Sequence, residues 1–490
     1  MLIRIPSSPS MSAFSKRGPT LRTKSGCLTC RQRRKKCDEA HPACVRCISA
    51  QRDCIWPSSE QLKDRRNLTR RTLESTLIEN DNREDEAIEL IPRIARSEVD
   101  LSNTVSEECL QMVVGRHFIE HCYSLLINSD SHPSFHDDWS ANIQDSMLAC
   151  TSLYYSVLAN SASHLFISDR TTQMEQRALA YYSHSLRDLR QIIALPCRDD
   201  PNLRNDILTS VVFLYLNGCM GHGTYDDIPF HLSAAIRLLD QQFFQADSAP
   251  TLMPSQLATV ESVIYQVFLV RMGLWSKPPE EGQRLEFDPM FWLNCEALLL
   301  RSTPFPGSPR TWNSPVLGVE FELYKVFLMI RKLWDSDRST VEFKRAVHQL
   351  KTKITPWELT VGMQGKHCIE GDTELLTVTE DATALFVIGA SLLVSQLPGS
   401  IKGAIPLPFV IDDSRLLQAK SILERRAGDQ RWGRSHLPNY PLYVLGFFMR
   451  SDEDIALVRR DMQQRLQQMA WSMIDRFWRD LESVWSTRPK

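Results

Sequence analysis

The chain has 490 residues, of which 43% are hydrophobic and 24% are charged, and its formal net charge is −2. This composition is ample for a packed core, and the length indicates two to four domains, or one large domain and one small one. Residues 1–60 carry twelve Lys and Arg against four acids, a net charge of +8, which leaves −10 on the other 430 residues. A basic head on an acidic body indicates that the head binds a polyanion.

Two classes of protein are disfavoured. The first ten residues, MLIRIPSSPS, contain no apolar run, so we expect no secretory signal. Residues 207–225 and 382–401 lack charged side chains, but each stretch has about a dozen strongly apolar residues, fewer than the ~20 that a spanning helix needs. We therefore expect both stretches to be buried core helices, and we expect no membrane partner.

In chain order, residues 1–24 are rich in Ser, Pro, Lys and Arg and are predicted to be a disordered basic N-terminus. Residues 25–56 follow as a small domain that contains six of the thirteen cysteines. The spacing C-x2-C-x6-C occurs twice, with six residues between the two copies. The cysteines are Cys27, Cys30, Cys37, Cys44, Cys47 and Cys54.

Such short, paired spacing indicates a metal site. Zinc prefers four tetrahedral ligands, so two zinc ions need eight contacts. Six thiolates supply eight contacts if two of them bridge, which predicts a binuclear cluster with two Zn2+ per chain. Because no coordination position stays open, the site is expected to be structural rather than catalytic. The alternative is a knot of three disulfides, which fits poorly with a basic head that lacks a signal.

The charge within the cysteine stretch is one-sided. Five of the six residues between Cys30 and Cys37 are basic, whereas the six residues between Cys47 and Cys54 have no net charge. We therefore expect only the first half to face DNA, with arginine forking to guanine in the major groove and the other cations on phosphates. The alternatives are a solvated face and a nuclear-import signal. The predicted DNA contacts are Arg31, Arg33, Arg34, Lys35 and Lys36.

Residues 57–106 are polar and are predicted to be a linker, in which no heptad register supports a coiled coil. Helical spacing then dominates, for example in FELYKVFLMIRKLW at 321–334 and in the aromatic-rich tail, while strand alternation is almost absent. Gly and Pro separate these segments, as at 301–315. The fold class is therefore mainly α, with the small N-terminal cluster followed by one large all-helical domain over 107–486.

One motif suggests a competing function. HFIEH at 117–121 fits the inverted zinc-peptidase pattern H-x-x-E-H, with His117 and His121 as ligands and Glu120 beside them. No downstream residue is marked as the third ligand, so a helix edge is preferred and the chain is predicted not to be an enzyme. GCMGHG at 218–223 lacks the spacing of a phosphate loop and is predicted to end a helix.

The cysteine stretch resembles the fungal binuclear zinc cluster, the Zn(2)-C6 type of transcription factor. The likeness covers all six cysteines, the basic block before Cys37, and Pro42. It implies that Cys27 and Cys44 bridge the two zinc ions. It also implies that Arg34, where the family usually has a lysine, reads the bases of GC-containing triplets.

Three later blocks are similar to the fungal-specific transcription factor domain, a helical regulatory domain: HLSAAIRLLD, SPVLGVEFELYKVF and YPLYVLGFFMRSDEDIALVRRDM. The resemblance implies a nuclear, sequence-specific regulator of RNA polymerase II genes, specific to one pathway or gene cluster. Double-stranded DNA is the expected partner. Possible partners of the helical body are a second copy of the chain, a small effector and the transcriptional machinery. Besides the transcription factor and the zinc enzyme, a third functional hypothesis is a zinc-stabilised module that binds RNA or protein.

Overall fold

The chain divides into two compact units, Met1–Leu90 and Ile91–Lys490, which we call the cluster unit and the helical body. The computed structural model describes residues 27, 29–30, 33, 35, 37–38, 43–50, 52–54 and 56 of the first unit. In the second it describes 107–169, 172–194, 200–220, 227–244, 251–276, 289–369, 376–409 and 413–488. The predicted disordered segment 1–24 and the predicted linker 57–106 lie outside the described residues.

The described part of the cluster unit includes a short helix, α1, at Val45–Ser49, which begins directly after Cys44. The helical body has sixteen α-helices among its described residues and no strand there. They are α2 Glu107–His117, α3 Ser134–Ala149, α4 Thr151–Asp169, α5 Thr172–Ala194, α6 Pro201–Cys219, α7 Ile228–Leu239, α8 Pro254–Met272, α9 Pro289–Arg301, α10 Phe321–Trp334, α11 Val341–Ile369, α12 Val378–Gln396, α13 Ser414–Arg425, α14 Gln430–Arg434, α15 Asn439–Gly446, α16 Asp452–Met469 and α17 Ser472–Thr487. The predicted mainly α fold is confirmed.

Short polar side chains set where several of these helices begin. Asp200 accepts a hydrogen bond from the Asn202 N–H and is followed by a proline, whose missing N–H costs nothing in the first turn. The Thr377 hydroxyl caps α12 by accepting a hydrogen bond from the Glu380 N–H, and the Glu380 carboxylate accepts one from the Thr377 N–H. These caps satisfy N–H groups that a helix start otherwise leaves unpaired.

Three helices of the body are buried along most of their length. Every residue of α6 from Asp206 to Cys219 is buried, and so is every residue of α15. The helix α12 lies between α10, α11, α13 and α15. By length and composition α12 could cross a membrane, with a mean hydropathy of 1.5, but 83% of that window is buried inside the protein, as in a core helix.

A buried polar group fixes the C-terminal helices. Arg465 on α16 is 0% exposed and pairs with Asp461 one turn earlier, with 2.5 Å from its Nε to a carboxylate oxygen. The other oxygen of Asp461 accepts from the Trp432 indole at 2.6 Å, which attaches α14 to α16. Arg465 also donates to the Ser435 carbonyl at 2.6 Å. Because a buried charge is costly unless it is paired, these contacts define one arrangement of the helices.

Candidate metal centre and nucleic-acid interface

The cysteine thiols of the cluster unit converge on one point. The Cys27 Sγ lies 3.8 Å from the Sγ atoms of Cys44 and Cys47, and the Cys30 Sγ lies 3.6 Å and 3.9 Å from the same two atoms. A disulfide has sulfur atoms about 2.05 Å apart. These thiols are therefore not disulfide-bonded, and they are close enough to share metal ions.

The six cysteines form two overlapping groups of four. One group is Cys27, Cys30, Cys37 and Cys44, and the other is Cys27, Cys44, Cys47 and Cys54. Within each group all four sulfur atoms lie within 4.8 Å of one another. Four thiols in such a group match the number of ligands that a structural zinc ion takes. The overlap lets six cysteines provide two sets of four ligands.

The backbone around the sulfurs repeats with the sequence. The Cys27 N–H donates to the Cys37 Sγ at 3.5 Å, and the Cys44 N–H donates to the Cys54 Sγ at 3.3 Å. In both halves the second cysteine of the CxxC pair donates its N–H to the sulfur of the first, at 3.4 Å. Each contact recurs seventeen residues later, so the duplicated spacing folds into a duplicated scaffold.

Burial makes the four CxxC cysteines the interior of this unit. Cys27, Cys30, Cys44 and Cys47 are at most 1% exposed, while Cys37, Cys54 and Trp56 are half-buried against them. Burial raises the pKa of the thiols of Cys27, Cys30 and Cys47. Since the thiolate is the form that binds metal, a metal ion must displace these protons.

Two supporting residues were not predicted from the sequence. The Asp38 carboxylate accepts hydrogen bonds from the N–H groups of Val45 and Arg46, at 3.2 Å and 3.3 Å, and so caps α1 from the other half of the unit. The Thr29 hydroxyl donates to the Asp53 carbonyl at 2.8 Å. Both contacts join the two halves. The sequence feature that could have identified Asp38 is its position, because it is a carboxylate directly after the third cysteine and a few residues before a helix begins.

The structure describes two of the five predicted DNA contacts. Arg33 and Lys35 are exposed, whereas Arg31, Arg34 and Lys36 lie outside the described residues. The Lys35 N–H donates to the Cys30 carbonyl at 3.0 Å, and Arg52 makes the same bond to the Cys47 carbonyl, also at 3.0 Å. Lys35 and Arg52 therefore occupy equivalent exposed positions in the two halves.

The HFIEH motif does not form the site that the peptidase alternative requires. Glu120 is exposed and pairs with Arg116, with 2.6 Å between Oε1 and Nε. His117 instead joins His164 and Cys122 in a group of potential ligands that contains neither His121 nor Glu120. The metallopeptidase alternative is not supported, because its general base is occupied by an arginine and the group of ligands is a different one.

Comparison with known proteins identifies two domains. Residues 25–64 match the family model described as the fungal Zn(2)-Cys(6) binuclear cluster domain. Residues 113–269 match the fungal specific transcription factor domain. Of the three later blocks, HLSAAIRLLD lies inside this second match, and the other two follow it in the chain. No solved structure gives a significant match to the chain.

Curated relatives match over short segments of the chain. Transcription factor lfc1 of Flammulina velutipes is 44% identical over 62 residues, which cover 13% of this chain and 22% of lfc1. Transcriptional regulatory protein moc3 of Schizosaccharomyces pombe is 61% identical over 39 residues, 8% of each chain. Transcription activator AMTR1 of Alternaria alternata is 57% identical over 35 residues, 7% of this chain and 4% of AMTR1. Each match thus spans less than a quarter of the relative.

The domains and the site agree on the class of protein. Two groups of four thiols lie within residues 27–54, and the described part of the body is helical. The chain combines a fungal Zn(2)-Cys(6) binuclear cluster domain with a fungal specific transcription factor domain, and both resemblances stated from the sequence are confirmed. Both domains are those of transcription factors, and the first is a zinc-binding domain.

Proposed function

We propose that this chain is a nuclear, sequence-specific DNA-binding transcription factor of the fungal RNA polymerase II type. The cluster unit binds double-stranded DNA, and the helical body regulates that activity. The observation that carries this proposal is the pair of four-thiol groups that share Cys27 and Cys44, because it makes the basic segment between Cys30 and Cys37 part of a rigid, metal-supported surface.

The cluster holds two zinc ions in this proposal. Cys27 and Cys44, the two thiols that belong to both groups, bridge the ions. Cys30 and Cys37 complete one set of four ligands, and Cys47 and Cys54 complete the other. Zinc then supplies structure rather than reactivity, because four thiolates leave no position for water or substrate.

The DNA-binding surface lies on the first half alone. Arg33 and Lys35 are exposed beside the first CxxC pair, and Arg31, Arg34 and Lys36 complete the basic segment. The equivalent segment of the second half is ISAQRD, which has no net charge. Arg34 forks to guanine in a GC-containing triplet, and its neighbours contact phosphates.

The body supplies regulation. Its matched region, 113–269, contains α7, where the His231 ring nitrogen lies 2.6 Å from the Tyr182 hydroxyl, which in turn donates to Asp227 at 2.9 Å. Leu232, Ala235 and Leu239 form the buried side of the same helix. The block HLSAAIRLLD therefore docks α7 against the rest of the body. Homodimerisation and contact with the transcriptional machinery belong to the same proposal.

Selection of bound sites from random duplexes, at fixed salt, tests the function. The full chain is expected to enrich a GC-containing triplet. Replacement of Arg33, Arg34 and Lys35 by Ala is expected to abolish enrichment, because it removes three of the five cations of one segment. Arg52→Ala, an exposed cation on the second half, is the matched control and should keep the motif. Equal losses in the two variants would contradict the one-sided interface.

A further inference from the structure

Three potential metal ligands meet inside the helical body, far along the chain from the cysteine cluster. They are His117 at the end of α2, Cys122 in the turn that follows it, and His164 on α4. One donor atom from each lies within 4.8 Å of the other two. The His117 Nε2 and the His164 Nδ1 are 3.0 Å apart.

A π-helical turn creates this arrangement. Residues Phe118–Cys122 form a π-helix directly after α2. In a regular α-helix, two residues five positions apart point about 140° away from each other, since each residue turns by about 100°. The wider π turn closes i→i+5 hydrogen bonds and brings Cys122 to the side of His117. Such single turns are frequent at functional sites.

The polar atoms of this group are not fully satisfied. The His164 Nε2 is buried and has no hydrogen-bond partner. Whichever of the two histidines donates the hydrogen bond between them, one nitrogen of His164 keeps an unused lone pair or proton. A buried polar atom without a partner costs free energy, and it marks a place where a ligand is missing or where a function is served.

The donor atoms suit a transition-metal ion. A neutral imidazole binds through a nitrogen lone pair, and a thiol binds as its thiolate. The Cys122 side chain is only 3% exposed, so a metal ion that enters would release its proton within the group.

Two charged side chains near the group hydrogen-bond to atoms outside it. Arg434 donates to the His121 carbonyl at 3.3 Å and to the Ser124 hydroxyl at 2.9 Å, and Glu120 is paired with Arg116. The His121 ring lies 4.8 Å from the His117 ring, centroid to centroid, and is largely exposed. The side of the group next to His121 is therefore its more exposed side.

We propose that His117, Cys122 and His164 bind one transition-metal ion of the borderline class, such as Zn2+ or Co2+, within the helical body. Two imidazoles and one thiolate are a ligand set that these ions accept, and three protein ligands leave one position open for an exogenous ligand. The ion would join α2 to α4. This site is independent of the two zinc ions of the cluster unit and would add a metal-responsive element to the regulatory domain.

Cobalt titration of the full chain tests the site. Protein whose cysteine cluster is already loaded with zinc should take up one further Co2+, seen as tetrahedral d–d bands with a thiolate-to-cobalt charge-transfer band. Cys122→Ser and His164→Gln should lose this uptake. Cys150→Ser and His136→Gln should keep it, because they alter a buried cysteine and a half-buried histidine that belong to no such group among the described residues.

The source of any cobalt signal can be identified in the unaltered chain. X-ray absorption should show nitrogen and a single sulfur around cobalt in the body, whereas cobalt exchanged into the cysteine cluster would have sulfur ligands only. The melting temperature of the body should rise with cobalt in the unaltered chain and in the two controls. The proposal would be overturned if the unaltered chain took up no cobalt, if the cobalt had only sulfur ligands, or if His164→Gln took up cobalt fully. The first two outcomes are measured on the unaltered chain, so they decide the test even if a variant does not fold.

Discussion

The cluster unit and the helical body have interiors of opposite kinds. In the described part of the cluster unit, the buried side chains are four cysteines, with two more cysteines and Trp56 against them. The body buries aliphatic and aromatic side chains from nearly all of its helices in one continuous core. The difference shows which force acts in each unit. Apolar burial stabilises the body, whereas so small a unit must depend on ligands that bind its thiols.

The largest expected effect is therefore the removal of metal from the cluster unit. Cys44→Ala takes away a thiol that belongs to both four-thiol groups, so both zinc ions should be lost. Structural zinc contributes on the order of 10 kcal/mol to folding in domains of this size. We expect zinc content near zero and no DNA binding, with the melting transition of the body unchanged.

Cys295→Ala is the matched control for this variant. Cys295 is also fully buried, but it lies on α9 in the body and belongs to no group of potential ligands among the described residues. This variant should keep both zinc ions and lower only the melting temperature of the body. If Cys44→Ala retained two zinc ions, as measured by elemental analysis, the bridging assignment would be wrong.

The second expected effect concerns the body, where a polar pair lies inside the apolar core. Asp461→Ala removes the partner of the fully buried Arg465 and of the Trp432 indole. Breaking a buried pair from one side leaves an uncompensated charge and costs about 3–5 kcal/mol. Chemical denaturation of the full chain should show this loss in the transition of the body, and zinc content should not change.

A surface pair with the same spacing provides the comparison for Asp461. Asp475 and Arg479 on α17 are also four residues apart, 2.8 Å from carboxylate to guanidinium, but the Arg479 side chain is 79% exposed. Exposed pairs of this kind contribute about 0.3–0.5 kcal/mol. Asp475→Ala should therefore cost far less. Similar losses for both variants would mean that burial does not set the strength of the Asp461 pair.

How far the sequence predicted the fold depends on whether a feature is determined by residues that are close together along the chain. Apolar spacing is a local signal, and it predicted a helical segment at 321–334, which the structure shows as the helix Phe321–Trp334. In the two uncharged stretches, residues 207–219 lie in the buried part of α6 and residues 382–396 lie in the core helix α12, as expected. The cysteine spacing was stronger still, because a metal site requires specific residues at short, fixed distances along the chain.

Contacts between distant segments were not predictable in this way. The buried Glu261 accepts hydrogen bonds from the N–H groups of Val316 and Leu317, more than fifty residues later, and nothing local marks it. The π-helical turn at Phe118–Cys122 was equally hidden, because its residues fit an ordinary helix. As a result HFIEH was matched to a peptidase pattern, and its pairing of His117 with His164 was missed.

The smallest expected effect concerns two exposed cations of the cluster unit, Lys35 and Arg52, and their contributions to DNA binding. Lys35 and Arg52 have the same backbone hydrogen bond to a CxxC cysteine, and both are exposed cations. They differ in their neighbours, since Lys35 lies in the basic segment and Arg52 next to Asp53. Only Lys35 is expected to reach a phosphate. Lys35→Ala should weaken binding to all sequences alike and reduce the slope of log K against log salt by about 1.

Arg52→Ala should leave that slope unchanged, although it removes the same charge from the equivalent position. Binding measured at several salt concentrations, on one GC-containing duplex and one scrambled duplex, distinguishes the two variants. Zinc content should stay the same in both, because neither side chain contacts a sulfur. Equal changes in slope would show that the net charge of the unit determines its affinity, and not the half on which a cation lies. The duplicated scaffold would then present two DNA-binding surfaces instead of one.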